Sequence, residues 1–388
     1  MKNSRLLDDP VRSLYVQVPF CPERCDYCSI PVSVRPERAD GYIKALSIEK
    51  ERIRSRVDLG KVETLYLGGG TPTVLSPGLF SDLIDLLRED LPPLKEVTTE
   101  SRPDTLDRPM LEMLEKKGVT RLSIGMETVS SVQMAFLGRT SCSYDVVRMI
   151  ESVRNSFSGQ ISMDFIIGGE GYDSGKFRTV AGTLLEAGLD HLSAYPLTLE
   201  NRTVLTLRET RGELPDSMED DAAEAWRIAT SDLRSMGWKQ YEVANFSRNP
   251  HTVCQHNLSV WKGDSYLGMG AGAHQRVLSV RSENVHSHLS YESRLNLGET
   301  PIEHLEKLTG EQLFLETIYT NARLSYGFPK AWLDERISPY ALSGFLSRMI
   351  DHRWIEEKEL DRERIVFTPE GWIWLDSLMG EISVLVEG

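Results

Sequence analysis

The chain is short of cysteine, has no long apolar run and carries no surplus of positive charge. Each shortage closes off a class of protein. No segment approaches the roughly 18–20 apolar residues that a membrane span needs, so no transmembrane segment is expected. Residues 1–10 read MKNSRLLDDP, with paired acids where a secretory leader has its apolar stretch, and a cytoplasmic location is expected. Lysine and arginine number 44 against 58 aspartates and glutamates, a net charge of −14. That balance argues against a broad phosphate-neutralising surface, and no nucleic-acid partner is expected. Repeats and low-complexity tracts are missing too. Five cysteines are too few, and odd in number, for a disulfide framework.

What remains is a chain of ordinary globular composition, 40% hydrophobic and 26% charged, long enough for a substantial core. Residues 13–19, 62–67, 96–100, 121–125, 161–167 and 191–195 read as short strands, rich in β-branched or aromatic residues and bounded by Gly or Pro. Leu14, Val16 and Val18 share one face of the first. Helical patterns lie between them. Tyr42, Ala45, Leu46 and Ile53 form one apolar face, interrupted at Glu49, whereas Leu79, Phe80, Leu83, Ile84 and Leu87 form one without a break. A third helix starts at an Asp107 N-cap and stops before Gly118, with Leu106 and Leu111 placed to flank its start. Six strands alternating with helices predict an α/β fold with a parallel sheet, doubly wound or rolled into a partial barrel. In both, ligands bind at the carboxyl ends of the strands.

The pattern changes near residue 200. Residues 216–236 read as one acidic helix with Ala225, Ile228, Ala229 and Leu233 inward. Residues 241–274 are short-stranded and rich in Gly and aromatics. From residue 309 onward, a helix at 311–323, two shorter helices and a hairpin at 354–368 resemble a small winged-helix module. The Pro and charge cluster at 299–306 marks a boundary. The expected division is therefore 1–200, 201–300 and 301–388.

Cys21, Cys25 and Cys28 follow the first strand directly, in a Cys-x3-Cys-x2-Cys loop at the ligand end of the sheet. Three soft thiolates in so short a loop suit three irons of a [4Fe–4S] cube, leaving the fourth iron open. A closed zinc site needs a further Cys or His nearby, and none stands within twenty residues on either side. Gly68-Gly69-Gly70-Thr71 ends the second strand, where glycines permit close backbone approach and expose amide hydrogens; a tight turn explains one or two of them equally well. Glu100, Glu127 and Asp164 fall at successive strand ends, a crowding of acids that suits a cationic, hydroxyl-rich ligand. Arg139 is suited to bidentate pairing with a carboxylate. Taken singly, each of these four is as well explained by a structural salt bridge.

The cysteine spacing resembles the radical S-adenosylmethionine (SAM) superfamily. That resemblance implies a partial (β/α)6 TIM-like barrel, a [4Fe–4S] cluster, and SAM bound at its open iron and cleaved reductively at a C–S bond. The glycine run is similar to the superfamily's GGE motif. The likeness extends along nearly the whole chain to the oxygen-independent coproporphyrinogen III oxidase family, through LYVQVPFC at 14–21, EVTTE and RPDTL at 96–106, SIGME at 123–127, LSAYPL at 192–197, YEVANF at 241–246 and YLGMGAGAH at 266–274. It implies Tyr15, Tyr27, Gly69, Gly70, Thr71, Glu100, Glu127, Arg139, Asp164 and Ala194 as SAM positions.

Two features separate the branches. The oxidase extends its motif by one further cysteine, where this chain has Ile30, and carries a longer arm than the twenty residues before Cys21. Both favour the haem-chaperone (HemW) branch, which implies haem as cargo, client haemoproteins as recipients and a reductant protein as partner. That branch has an HNxxYW motif; here it reads His256-Asn257-Leu258-Ser259-Val260-Trp261, with Val260 in place of the tyrosine. His256 is the candidate axial ligand and Trp261 the candidate porphyrin-packing ring. Where many members have glutamine, Glu127 adds a charge that either tunes SAM affinity or pairs with a neighbour. The competing readings are oxidative decarboxylation of coproporphyrinogen III and another radical reaction on a tetrapyrrole, for which Cys142 and Cys254 are the unassigned thiols.

Overall fold

The computed structural model describes residues 10–140 and 145–387. Six strands lie where the alternation places them: β1 (Ser13–Val18), β2 (Thr64–Gly69), β3 (Glu96–Ser101), β4 (Arg121–Glu127), β5 (Gln160–Ile167) and β6 (His191–Pro196). Each runs parallel to the next in chain order, as a partial barrel of βα units requires. One face of each strand is apolar and packs under the helices. Leu14, Val16 and Val18 are almost fully buried there, each contributing roughly 2 kcal/mol. The other face is polar and turns into the barrel, where Gln17, Thr98, Glu100, Ser123, Asp164 and Ser193 line its cavities.

The helix Arg108–Lys116 starts as predicted: Asp107 accepts from the Met110 amide at 2.9 Å, and Gly118 takes a left-handed φ of +66° just beyond it. Glu49, the break in the apolar face of helix Ala39–Arg54, is buried and satisfied. It accepts from the Gly270 amide (2.8 Å), Asn284 Nδ2 (2.7 Å) and the Tyr291 hydroxyl (2.5 Å), tying the helix to segments more than 200 residues away. Helix Met218–Met236 buries Ala229 and Leu233 as expected and half-buries Ala225, but departs from the expected face at Ile228. Ile228 is 43% exposed, and Trp226 takes the inward position, donating to the Ala194 carbonyl at 3.0 Å. The large indole covers more of the barrel than an isoleucine could.

After β6 the chain returns to both edges of the sheet. β7 (Lys239–Gln240) and β8 (Asn245–Ser247) add beyond β6, with β8 antiparallel to it. β9 (Tyr266–Met269) joins β1 in parallel, and β10 (His274–Val277), β11 (Val280–Asn284) and β12 (Ile302–Lys307) continue outward as an antiparallel meander. Among the described residues this is one twelve-stranded sheet. The charged stretch 299–306 thus supplies most of an edge strand, whose lysine and glutamates suit a sheet border.

The helical module follows β12. Helix Gly310–Ala322 opens on a Thr309–Gln312 capping box, helix Pro339–Asp351 is equally long, and Leu375–Glu387 ends the described chain. The predicted hairpin is reduced to an Ile355–Phe367 bridge around the short helix Glu357–Leu360. Arg364–Ile365 pairs instead with Phe328–Pro329.

Candidate functional site

The loop after β1 is held in place by its backbone. The Cys21 amide donates to Ser33 O (3.0 Å), the Ser33 amide to Pro19 O (2.7 Å), and the Asp26 amide to Leu137 O (3.0 Å). Cys21, Cys25 and Cys28 thereby line one cavity of about 460 Å³, a volume that holds a drug-sized molecule. All three are free thiols, and Cys21 Sγ lies 3.5 Å from Thr71 Oγ1. They do not converge on a point: among the described residues no three His, Cys, Asp or Glu side chains could hold a metal ion. Burial raises each thiol pKa, that of Cys25 to about 11 despite Arg139 beside it.

The opposite walls come from β2 to β5. Gly69, Gly70, Thr71, Glu100, Glu127, Arg139, Asp164 and Tyr27 share this cavity with the cysteines. Glu100 accepts from the Gly69 amide (2.8 Å) and the Tyr66 hydroxyl (3.0 Å), and burial lifts its pKa to about 7. Asp164 accepts from the hydroxyls of Ser193 (2.6 Å), Ser123 (2.7 Å) and Ser162 (3.3 Å), and burial lifts it to about 6. Arg139 pairs with Glu127 at 2.8 Å. The expectation that the glycine run exposes its amides is corrected. Those of Gly69, Gly70 and Thr71 are spent on Glu100, Val18 O and Phe20 O, so any backbone contact with a ligand falls to carbonyl oxygens. A Cβ on Gly70 would stand 2.5 Å from Phe20 O and 2.6 Å from Val18 O, so this glycine is required by packing against β1.

Two of the expected SAM positions lie elsewhere. Ala194 is fully buried beneath Trp226, its amide bonded to Ala244 O, because its side chain points to the helix layer. Tyr15 turns into a second cavity of about 1070 Å³, where it stacks 5.9 Å from Tyr66. His256, Trp261 and Val260 line that second cavity too. Tyr66, Glu100, Tyr195, Asn245, Asn257 and Ile30 belong to both, so the two chambers share a wall.

His256 sits on helix Gln255–Trp261, whose start is fastened by Glu96. That carboxylate accepts from the Gln255 and His256 amides (both 3.0 Å) and pairs with buried Arg121 at 3.2 Å. Burial depresses the His256 pKa to about 4, so the imidazole is neutral. One face of Trp261 is already taken by the Arg323 guanidinium, 4.4 Å above the ring. Cys254 is buried and donates to Glu96, and burial raises its pKa; Cys142 lies outside the described residues.

The sequence profile of the radical SAM superfamily matches residues 15–184. The heme chaperone HemW of Mycobacterium tuberculosis is 30% identical over 373 residues, covering 94% of this chain and 93% of that protein. HemW of Bacillus subtilis is 28% identical over 94% of this chain and 95% of its own length. The chain belongs to the HemW family of radical SAM proteins. Among solved structures, coproporphyrinogen III oxidase (HemN) of Escherichia coli superposes with a TM-score of 0.79 over 98% of this chain and 91% of that one, at 19% identity. The HemW-family chain therefore has the radical SAM barrel with a helical C-terminal region.

Superfamily membership implies a [4Fe–4S] cluster and SAM, and the residues fit both. Three thiols spread around one cavity suit a polynuclear cluster, in which each binds its own iron, better than a single ion. Glu100, Asp164 and Glu127 provide the acceptors that an ammonium and ribose hydroxyls require. Tyr66, the three serines around Asp164, and the Glu96–Arg121 pair were not singled out in the sequence, because their roles arise from neighbours on other strands. No helix among the described residues is long and apolar enough to cross a membrane.

Proposed function

We propose that this protein is a haem chaperone: it binds haem in the larger cavity, beside a cluster and SAM site in the smaller one, and passes haem to client haemoproteins. One observation carries the reading. A buried, neutral histidine lines a cavity at the upper end of ligand-pocket size, and that cavity shares Tyr66 and Glu100 with the cysteine chamber. Neutral imidazole is the form that ligates haem iron. In this reading Cys21, Cys25 and Cys28 hold the cluster, which supplies electron-transfer chemistry when bound. Glu100, Glu127, Arg139, Asp164 and the carbonyls near Gly69 and Gly70 orient SAM. Val260 leaves an apolar wall where the family motif has a phenol, so no hydroxyl acts there.

Ferric haem titrated into wild type and His256→Ala tests this directly. Loss of the histidine should weaken binding at least tenfold and remove the spectrum of an imidazole-bound iron; unchanged binding removes His256 from the site. Multiple turnovers of coproporphyrinogen III to protoporphyrinogen IX, with cluster, SAM and reductant present, would favour the oxidase reading instead. Ile30 supports the chaperone here, since it lines both chambers where a further thiol would be needed.

A further inference from the structure

Behind His256 runs a chain of hydroxyls that no part of the reading above uses. His256 Nδ1 lies 2.9 Å from Thr64 Oγ1. The Thr64 hydroxyl donates to Ser13 Oγ at 3.0 Å, Ser13 donates to Ser259 Oγ at 3.1 Å, and Ser259 donates to the Asp264 carboxylate at 2.8 Å. The links join β1, β2, the His256 helix and the loop after it. Ser13, Thr64 and His256 are buried, and Asp264 is half-buried.

A hydroxyl has one hydrogen to donate. The carboxylate at the far end can only accept, so Ser259 must point its hydrogen outward, and each hydroxyl behind it must follow. Thr64 has then spent its hydrogen on Ser13 and can only accept from the imidazole. Nδ1 must carry the proton. Nε2, which has no hydrogen-bond partner among the described residues, keeps a bare lone pair on a ring that lines the large cavity. We infer that Thr64, Ser13, Ser259 and Asp264 form a positioning relay that locks His256 in the Nδ1–H tautomer and presents Nε2 as a metal ligand. Outer-shell partners of this kind orient a ligating histidine and raise its basicity. The inference rests on the haem reading for the relay's purpose, and on the hydrogen-bond directions alone for its tautomer.

The test begins on the haem-free full chain, with 15N NMR of the imidazoles and His256→Gln to identify the signal. The expected spectrum has a protonated Nδ1 and a bare Nε2. Thr64→Val, which keeps the volume but removes the acceptor, should shift the population toward Nε2–H and weaken ferric haem binding by roughly 10–100-fold. Thr64→Ser should restore both. Ser13→Ala does not touch the ring, yet it frees the Thr64 hydrogen to turn back onto Nδ1, and should move the tautomer the same way. A proton on Nε2 in wild type, or a tautomer indifferent to Thr64→Val and Ser13→Ala, overturns the relay. A protonated Nδ1 that responds to both variants, with haem affinity unmoved by His256→Ala, upholds the relay and overturns the haem reading.

Discussion

Arg139 Nη1 lies 2.8 Å from Glu127 Oε1, joining the loop after the Ser131–Phe136 helix to a left-handed residue (φ +61°) at the end of β4. The two ends differ in burial: the arginine side chain is 2% exposed and the glutamate 17%. The charge that the sequence adds here is thus neutralised within the wall, and a ligand carboxylate seeking Arg139 must share it with Glu127.

The asymmetry of that pair predicts an asymmetry of its mutants. Glu127→Ala strands a fully buried guanidinium and should cost about 3 kcal/mol of stability, whereas Arg139→Met leaves a carboxylate closer to water and should cost less. Glu127→Gln should keep the fold and release Arg139, tightening SAM binding several-fold. Denaturant titration and equilibrium dialysis check the two halves. Equal costs for the two truncations would contradict the burial argument.

Glu100 makes stability depend on pH. Its carboxyl binds a proton more readily in the folded chain, with a pKa near 7 against an ordinary 4.5, so its contribution is favourable at low pH and is lost as pH rises from about 4.5 through 7. Glu100→Gln removes that loss. Relative to wild type, the variant should gain roughly 3 kcal/mol between pH 4.5 and 8, since one pKa unit is worth 1.36 kcal/mol. A flat difference across that range would show that Glu100 is not held protonated. A cationic ligand should reverse the shift, so SAM binding near pH 6.5 should release a proton, readable by calorimetry in buffers of different ionisation enthalpy.

Cys25→Ser should prevent assembly of a full [4Fe–4S] centre, seen as a deficit in iron count and in visible absorption. In the metal-free chain the same thiol should alkylate far more slowly at pH 8 than a free cysteine, because burial holds its pKa near 11. Four irons per chain in the serine variant would remove Cys25 from the ligand set.

Glu96→Ala should act at a distance. It leaves Arg121 buried without its partner and frees the start of the His256 helix, at a cost of about 3–5 kcal/mol. Arg121→Met/Glu96→Leu should recover much of it. Haem affinity should fall in Glu96→Ala while the cysteines still load iron; loss of both would indicate general unfolding.

Much of this molecule is legible in its sequence. The six strands declare themselves by alternation, the Arg108–Lys116 helix by its cap and its stop, and the cysteine loop by spacing, all of which are local properties of neighbouring residues. Where structure and sequence pattern differ, the deciding contact is remote. Ile228 and Trp226 are close in sequence, but which of them faces inward depends on the barrel beneath. Tyr15 on β1 and Glu100 on β3 both face inward with only β2 between their strands, yet Tyr15 opens on the second chamber alone and Glu100 on both. The shortage of cysteine and the excess of acid were determined by sequence alone, and with them the case for a cluster and a cationic ligand. Which partner each buried polar group meets was decided by tertiary structure. Glu127 meets Arg139, Glu49 meets Tyr291 and Asn284, and Thr64 meets both His256 and Ser13. Partners separated by dozens to hundreds of residues leave no periodic trace in the chain, and burial sets the cost of leaving any of them unmatched.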